Sequence, residues 1–114
     1  WKVREKRLVK VFSNAPLPES FAGEAVLSPD GSEFALRPDT SKLFIDWCLE
    51  KNIEVTGFDV WLQGPTDHTA LDRFSFRGDR RSCLREIDCV LNHVDVLSFN
   101  RDILFNVWVN YQES

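Results

Sequence analysis

From Arg80 to Val94 the apolar residues recur with a helical period: Cys83, Leu84, Ile87, Val90, Leu91 and Val94 fall within about 120° of one another, opposite Arg81, Arg85, Asp88 and Asn92. A helix with one apolar face depends on a surface to cover, because propensity alone holds such a segment weakly in water. The chain supplies that surface as strands. Ile103–Tyr111 is rich in β-branched and aromatic residues, apolar at odd positions and mixed at even ones, the pattern of a central or nearly central strand.

Shorter signals order the rest. Arg7–Phe12 is a β-like run, and Asn14-Ala15-Pro16-Leu17-Pro18 predicts a loop because two prolines remove amide donors. Ala25–Leu27 and Glu33–Leu36 flank the turn sequence Ser28-Pro29-Asp30-Gly31-Ser32 and predict a β-hairpin. After Pro38, the side-chain oxygens of Asp39-Thr40-Ser41 are placed to cap a first helix that reaches about Asn52. In that helix Leu43, Phe44, Ile45, Trp47, Cys48 and Leu49 cover a wide arc, and Asp39, Lys42, Asp46 and Glu50 crowd the remainder. The expectation is a helix buried on most sides, with a mostly acidic stripe outside.

Ile53–Leu62 reads as a strand closed by Gln63-Gly64-Pro65. After a polar loop, Leu71–Arg77 alternates with period two and is expected to be the return strand, before Gly78-Asp79 opens the second helix. The order β-ββ-α-ββ-α-β predicts an α+β fold, a mostly antiparallel sheet of five or six strands with two helices packed on it. At 114 residues, one domain over 1–114 is expected.

Apolar residues make up 43% of the chain and charged ones 28%, close to globular averages, so disorder and repetitive fibrous structure are disfavoured. No apolar run approaches the ~18 residues that cross a bilayer. Cys48, Cys83 and Cys89 form an odd set without tight pair spacing, which suggests free thiols in a reducing cytoplasm.

Charge is ordered in blocks. Residues 1–12 carry five bases against one acid, residues 13–72 three against eleven, residues 73–85 five against one, and residues 86–114 one against five. Grouped carboxylates speed association with a basic partner and reject acidic ones. The leading expectation is therefore a non-enzymatic protein-binding module that covers a basic partner site with Asp39, Asp46, Glu50, Glu54 and Asp59. In size, charge and lack of visible chemistry the chain resembles the immunity proteins that bacteria pair with nuclease toxins. No motif carries that likeness, so no residue role follows from it. No cofactor or membrane is expected, and a homodimer contact through Trp and Phe is a further expectation about partners. The ordinary reading of the same acids is the solvated side of a helix and of a strand.

Other constellations are weaker. His68, in the loop sequence Asp67-His68-Thr69, could pair with Cys48 or Cys89 as base and nucleophile, though no nucleophile signature supports either thiol. Arg73, Arg77, Arg80, Arg81 and Arg85 are interleaved with Phe74 and Phe76 as in single-strand binders, but an overall pI near 5.1 repels polyanions, so nucleic acid is disfavoured. Cys89 and His93 have metal-ligand spacing, yet a structural zinc site needs four ligands and no metal is expected. Arg77-Gly78-Asp79 spells an adhesion tripeptide and is better explained as a strand-to-helix turn with a capping aspartate.

Overall fold

The structure, a computed structural model, describes residues 8–64, 68–94 and 102–111. Along the chain run β1 (Leu8–Val11), β2 (Pro16–Pro18), α1 (Glu19–Ala22), β3 (Val26–Leu27), β4 (Phe34–Ala35) and α2 (Pro38–Glu50). Then follow β5 (Glu54–Gln63), β6 (His68–Ala70), a 3₁₀ turn (Asp72–Phe74), β7 (Phe76–Arg77), α3 (Arg80–Val94) and β8 (Asp102–Asn110). The fold is α+β with antiparallel pairing throughout these strands, as the sequence predicts.

Its frame is the long pair β5 and β8, matched from Glu54↔Asn110 to Gln63↔Asp102. Beyond β8, Leu36 and Phe105 exchange two backbone hydrogen bonds of 3.0 and 2.7 Å, so β8 is flanked on both sides. That is the central position its composition implied. Strand alternation then sends Phe58, Val60, Phe105 and Val107 to one face, where Phe44, Ile45 and Cys48 of α2 and Cys83, Ile87 and Val90 of α3 meet them. Each of these ten is at most 2% exposed. Fully burying one such large apolar side chain is worth about 1.5–3 kcal/mol, so this layer supplies much of the stability. On the opposite face Trp61 and Leu104 form a smaller cluster with Ala35 and Val26. Phe12, Phe34, Phe44 and Phe21 join edge to face at 5.3, 5.7 and 5.8 Å and tie the N-terminal ribbon to α2.

Several local expectations are corrected. Pro16-Leu17-Pro18 is not a loop but β2, paired with β1 through Leu8↔Pro18, Lys10↔Leu17 and Val11↔Pro16. Proline is kept out of central strands, yet a two-stranded ribbon tolerates it because one side of the strand needs no donors. The single turn α1 that follows was not anticipated.

Helix α2 starts at Pro38 with Arg37 as its N-cap residue, and no side chain caps it. Proline fits the first helical position, where an N–H would have no partner. Asp39, Thr40 and Ser41 thus lie inside the first turn rather than capping it. The hydroxyl of Thr40 donates to Glu24 Oε1 at 3.1 Å, and that of Ser41 to the Leu36 carbonyl at 3.0 Å. These bonds let both residues turn inward, which rotates the buried arc and leaves Leu43 and Leu49 60% and 50% exposed. The helix is not buried on most sides. It ends at Glu50, and Asn52 beyond it takes the left-handed region, φ 57°, with Ile53 N–H donating to the Cys48 carbonyl and Asn52 N–H to that of Leu49 at 2.8 and 3.1 Å.

Of the expected return strand Leu71–Arg77 only Phe76–Arg77 forms, as β7, and the return begins earlier, with β6 at His68–Ala70. β6 pairs with Trp61–Gln63, β7 pairs with Gly57 and Phe58, and the 3₁₀ turn spans the gap. His68 and Thr69 belong to β6 rather than to a loop, and Asp67 lies outside the described residues. A Cβ on Gly57 would lie 2.2 Å from the Phe76 carbonyl oxygen, so the approach of β7 requires glycine there.

Candidate functional site

Residues 39, 43, 46 and 50 are spaced by four, three and four, which puts them on one stripe of α2. All four are exposed, so Leu43 stands in water among Asp39, Asp46 and Glu50. None of the three carboxylates makes an ion pair or hydrogen bond with a described residue. Lys42, the one base of α2, is turned aside to α3, where its Nζ lies 2.6 Å from Asp88 Oδ1. The stripe keeps its negative charge.

Beside it, Ser20 and Phe21 of α1 and Leu43, Asp46, Trp47 and Glu50 of α2 enclose an open hollow of about 350 Å³. Trp47 is 5% exposed and stacks on Phe44 with ring centroids 5.7 Å apart. Its indole Nε1–H is buried and finds no acceptor among the described residues. A buried donor left in that state costs about 1–3 kcal/mol, which makes it a feature that calls for a reason.

The five acids expected to converge do not share one surface. Asp39, Asp46 and Glu50 do. Alternation along β5 places Asp59 with Trp61 on the face of the sheet turned away from the helices, and Arg77 Nη1 donates to its Oδ1 at 3.4 Å. Glu54 sits at the start of β5, where Asn110 Nδ2 donates to its Oε1 at 3.3 Å. Glu33 is also near Asp59: burial first, then the charges of Asp59 and Asp30, hold its carboxyl above the ordinary range.

Within the arginine block, Arg73 and Arg77 make contacts with neighbouring residues. Phe74 packs against the main core beneath Arg73, whose guanidinium carbon is 5.0 Å from its ring centre. Phe76 packs on Phe58 at 5.7 Å. Asp79 Oδ1 accepts the Ser82 N–H at 2.9 Å and so caps α3, which with the Ser82 hydroxyl lowers its carboxyl below the ordinary value. The tripeptide at 77–79 is that turn.

All three cysteines are free. Burial pushes the Cys48 thiol up to about 12 and is the main cause that carries Cys83 to about 11, with Asp79 adding to it. A thiol that stays protonated in a dry core is a poor nucleophile. Cys89 is exposed, and the side chain of His68, its expected base, lies outside the described residues. Cys89 and His93 are both exposed on α3, and among the described residues no group of three or more His, Cys, Asp or Glu is placed to hold a metal.

No family model, curated protein or solved structure matches the chain.

One residue of the α2 face departs from the sequence reading. Hydropathy places Leu43 and Trp47 in the buried arc; Trp47 is buried as expected, and the inward turn of Thr40 and Ser41 leaves Leu43 facing out. The signal available was the pair of hydroxyls in the first turn, which can go inside when each finds an acceptor.

Proposed function

We propose that this chain is a protein-binding module that engages a basic partner through the outer face of α2, and that it inhibits the partner by covering a cationic site. The supporting observation is Leu43, 60% exposed among three carboxylates with no described partner. Interfaces combine an apolar anchor with a charged rim, and Leu43 among Asp39, Asp46 and Glu50 has that arrangement. The charges would draw the partner in and fix its orientation, and Leu43 would supply the dry contact. Glu54 and Asp59 are outside this face and are not assigned to it. No helix among the described residues is long and apolar enough to cross a membrane, which agrees with a partner met in water.

A cationic nuclease active site is the partner class this charge pattern fits best. Titration calorimetry against purified basic nuclease domains tests the reading. A domain captured by the native chain should bind Asp46→Lys/Glu50→Lys at least tenfold more weakly, with the circular dichroism spectrum unchanged. Equal binding by the reversed variant, or no binding anywhere in the panel, overturns it.

A further inference from the structure

Resting on that docking reading, we infer that the hollow beside α2 is a socket for one arginine side chain of the partner. Its composition is that of an arginine site rather than of a general anionic patch. Phe21, Leu43 and Trp47 offer apolar and aromatic walls, and Asp46 and Glu50 stand one helical turn apart at the opening, about 5–6 Å between Cβ atoms. A guanidinium is planar, carries five donors and stacks on aromatic faces, so it can bridge two carboxylates while its stem lies on rings. The ammonium of lysine is a strongly hydrated point charge that gains less from the same walls. About 350 Å³ is at the lower end of ordinary ligand sites of roughly 300–1,000 Å³, room for one long side chain and not for a helix.

A second observation, independent of charge, concerns Trp47. It lines this hollow, is 95% buried, and its Nε1–H has no acceptor among the described residues. That donor is closed off from solvent, but the ring that carries it walls the hollow, so the indole resonance reads what enters there.

The test uses the full chain labelled with nitrogen-15 and three blocked pentapeptides with arginine, lysine or norleucine between glycine pairs. The Trp47 indole resonance is assigned by its loss in Trp47→Phe. The arginine peptide should shift that resonance and the amides of Asp46 and Glu50, and should bind about threefold more tightly than the lysine peptide. Leu43→Lys, which alters an exposed residue and leaves the core intact, should abolish the indole shift. Shifts confined to the α2 amides, with Trp47 unmoved, would overturn the socket and leave the docking face standing. Equal responses to arginine and norleucine would overturn it too. Failure of every cationic peptide together with a negative nuclease panel would overturn both readings at once.

Discussion

Lys42 Nζ and Asp88 Oδ1 meet at 2.6 Å across the seam between α2 and α3, and this contact removes the one positive charge of α2 from its outer face. Both side chains remain partly in water, 35% and 62% exposed, so the pair should contribute little to stability. Lys42→Ala, Asp88→Ala and the double variant, unfolded in urea, should give a coupling energy below about 1 kcal/mol. Partner capture by Lys42→Ala should be undiminished, because the stripe loses no carboxylate.

Asn14 should be far less tolerant. Its Nδ2 donates to the carbonyls of Phe34 and Val107 at 3.2 and 2.7 Å, and its Oδ1 accepts the Phe34 N–H at 3.1 Å. One buried amide thereby joins the turn after β1 to both β4 and β8. Asn14→Ala removes the acceptor of the Phe34 N–H and the side-chain donor to the Val107 carbonyl, while the Phe34 carbonyl keeps Asn106 Nδ2 at 2.7 Å, and it should lower the unfolding free energy by about 2–4 kcal/mol, at an unchanged denaturant slope. Asn14→Asp should cost more, since it buries a charge and removes both donors.

The three thiols should separate by reactivity. With Ellman's reagent at neutral pH, Cys89 should react in the native chain, and Cys48 and Cys83 only after denaturation, because burial raises both well above the ordinary thiol value. Cys89→Ser should abolish the native signal. Two or three fast thiols in the native chain would contradict the packing of α2 and α3 against the sheet.

Acid should weaken the hairpin turn first. Asp30 accepts from the Ser32 N–H and from the hydroxyls of Ser32 and Ser28, and these bonds lower its carboxyl from 3.8 to about 2. A depressed carboxylate contributes stability that is present above its unfolded value and lost as pH falls through the folded one. Asp79 acts in the same direction and Glu33 in the opposite one. Thermal melts of the native chain between pH 5 and pH 2 should therefore fall more steeply than those of Asp30→Asn, whose curve lacks this linkage.

Elements with a sustained period were legible in the sequence, and those decided by a few tertiary hydrogen bonds were not. In α3, Cys83, Ile87 and Val90 lie inside and Arg81, Arg85 and Asp88 outside, as the helical period requires. The hairpin around Asp30 and the central place of β8 also follow from local chemistry. The orientation of α2 does not, because Thr40 and Ser41 count as polar until Glu24 and Leu36 are seen to receive them. The split of the return strand depends on how β7 reaches Gly57, which no local pattern encodes. The acidic stripe Asp39, Asp46 and Glu50 could be read from helical spacing alone. Its separation from Asp59 required knowing which face of β5 the helices cover.

Pro16 and Pro18 leave β2 with an N–H only at Leu17. Backbone donors alternate between the two edges of a strand, so Pro16 and Pro18 share one edge and give it no N–H with which to hand the ladder on to another molecule. The same prolines that disguised β2 thus keep one margin of the fold from seeding fibrils, and crowded solutions of this protein should stay free of growth from that side.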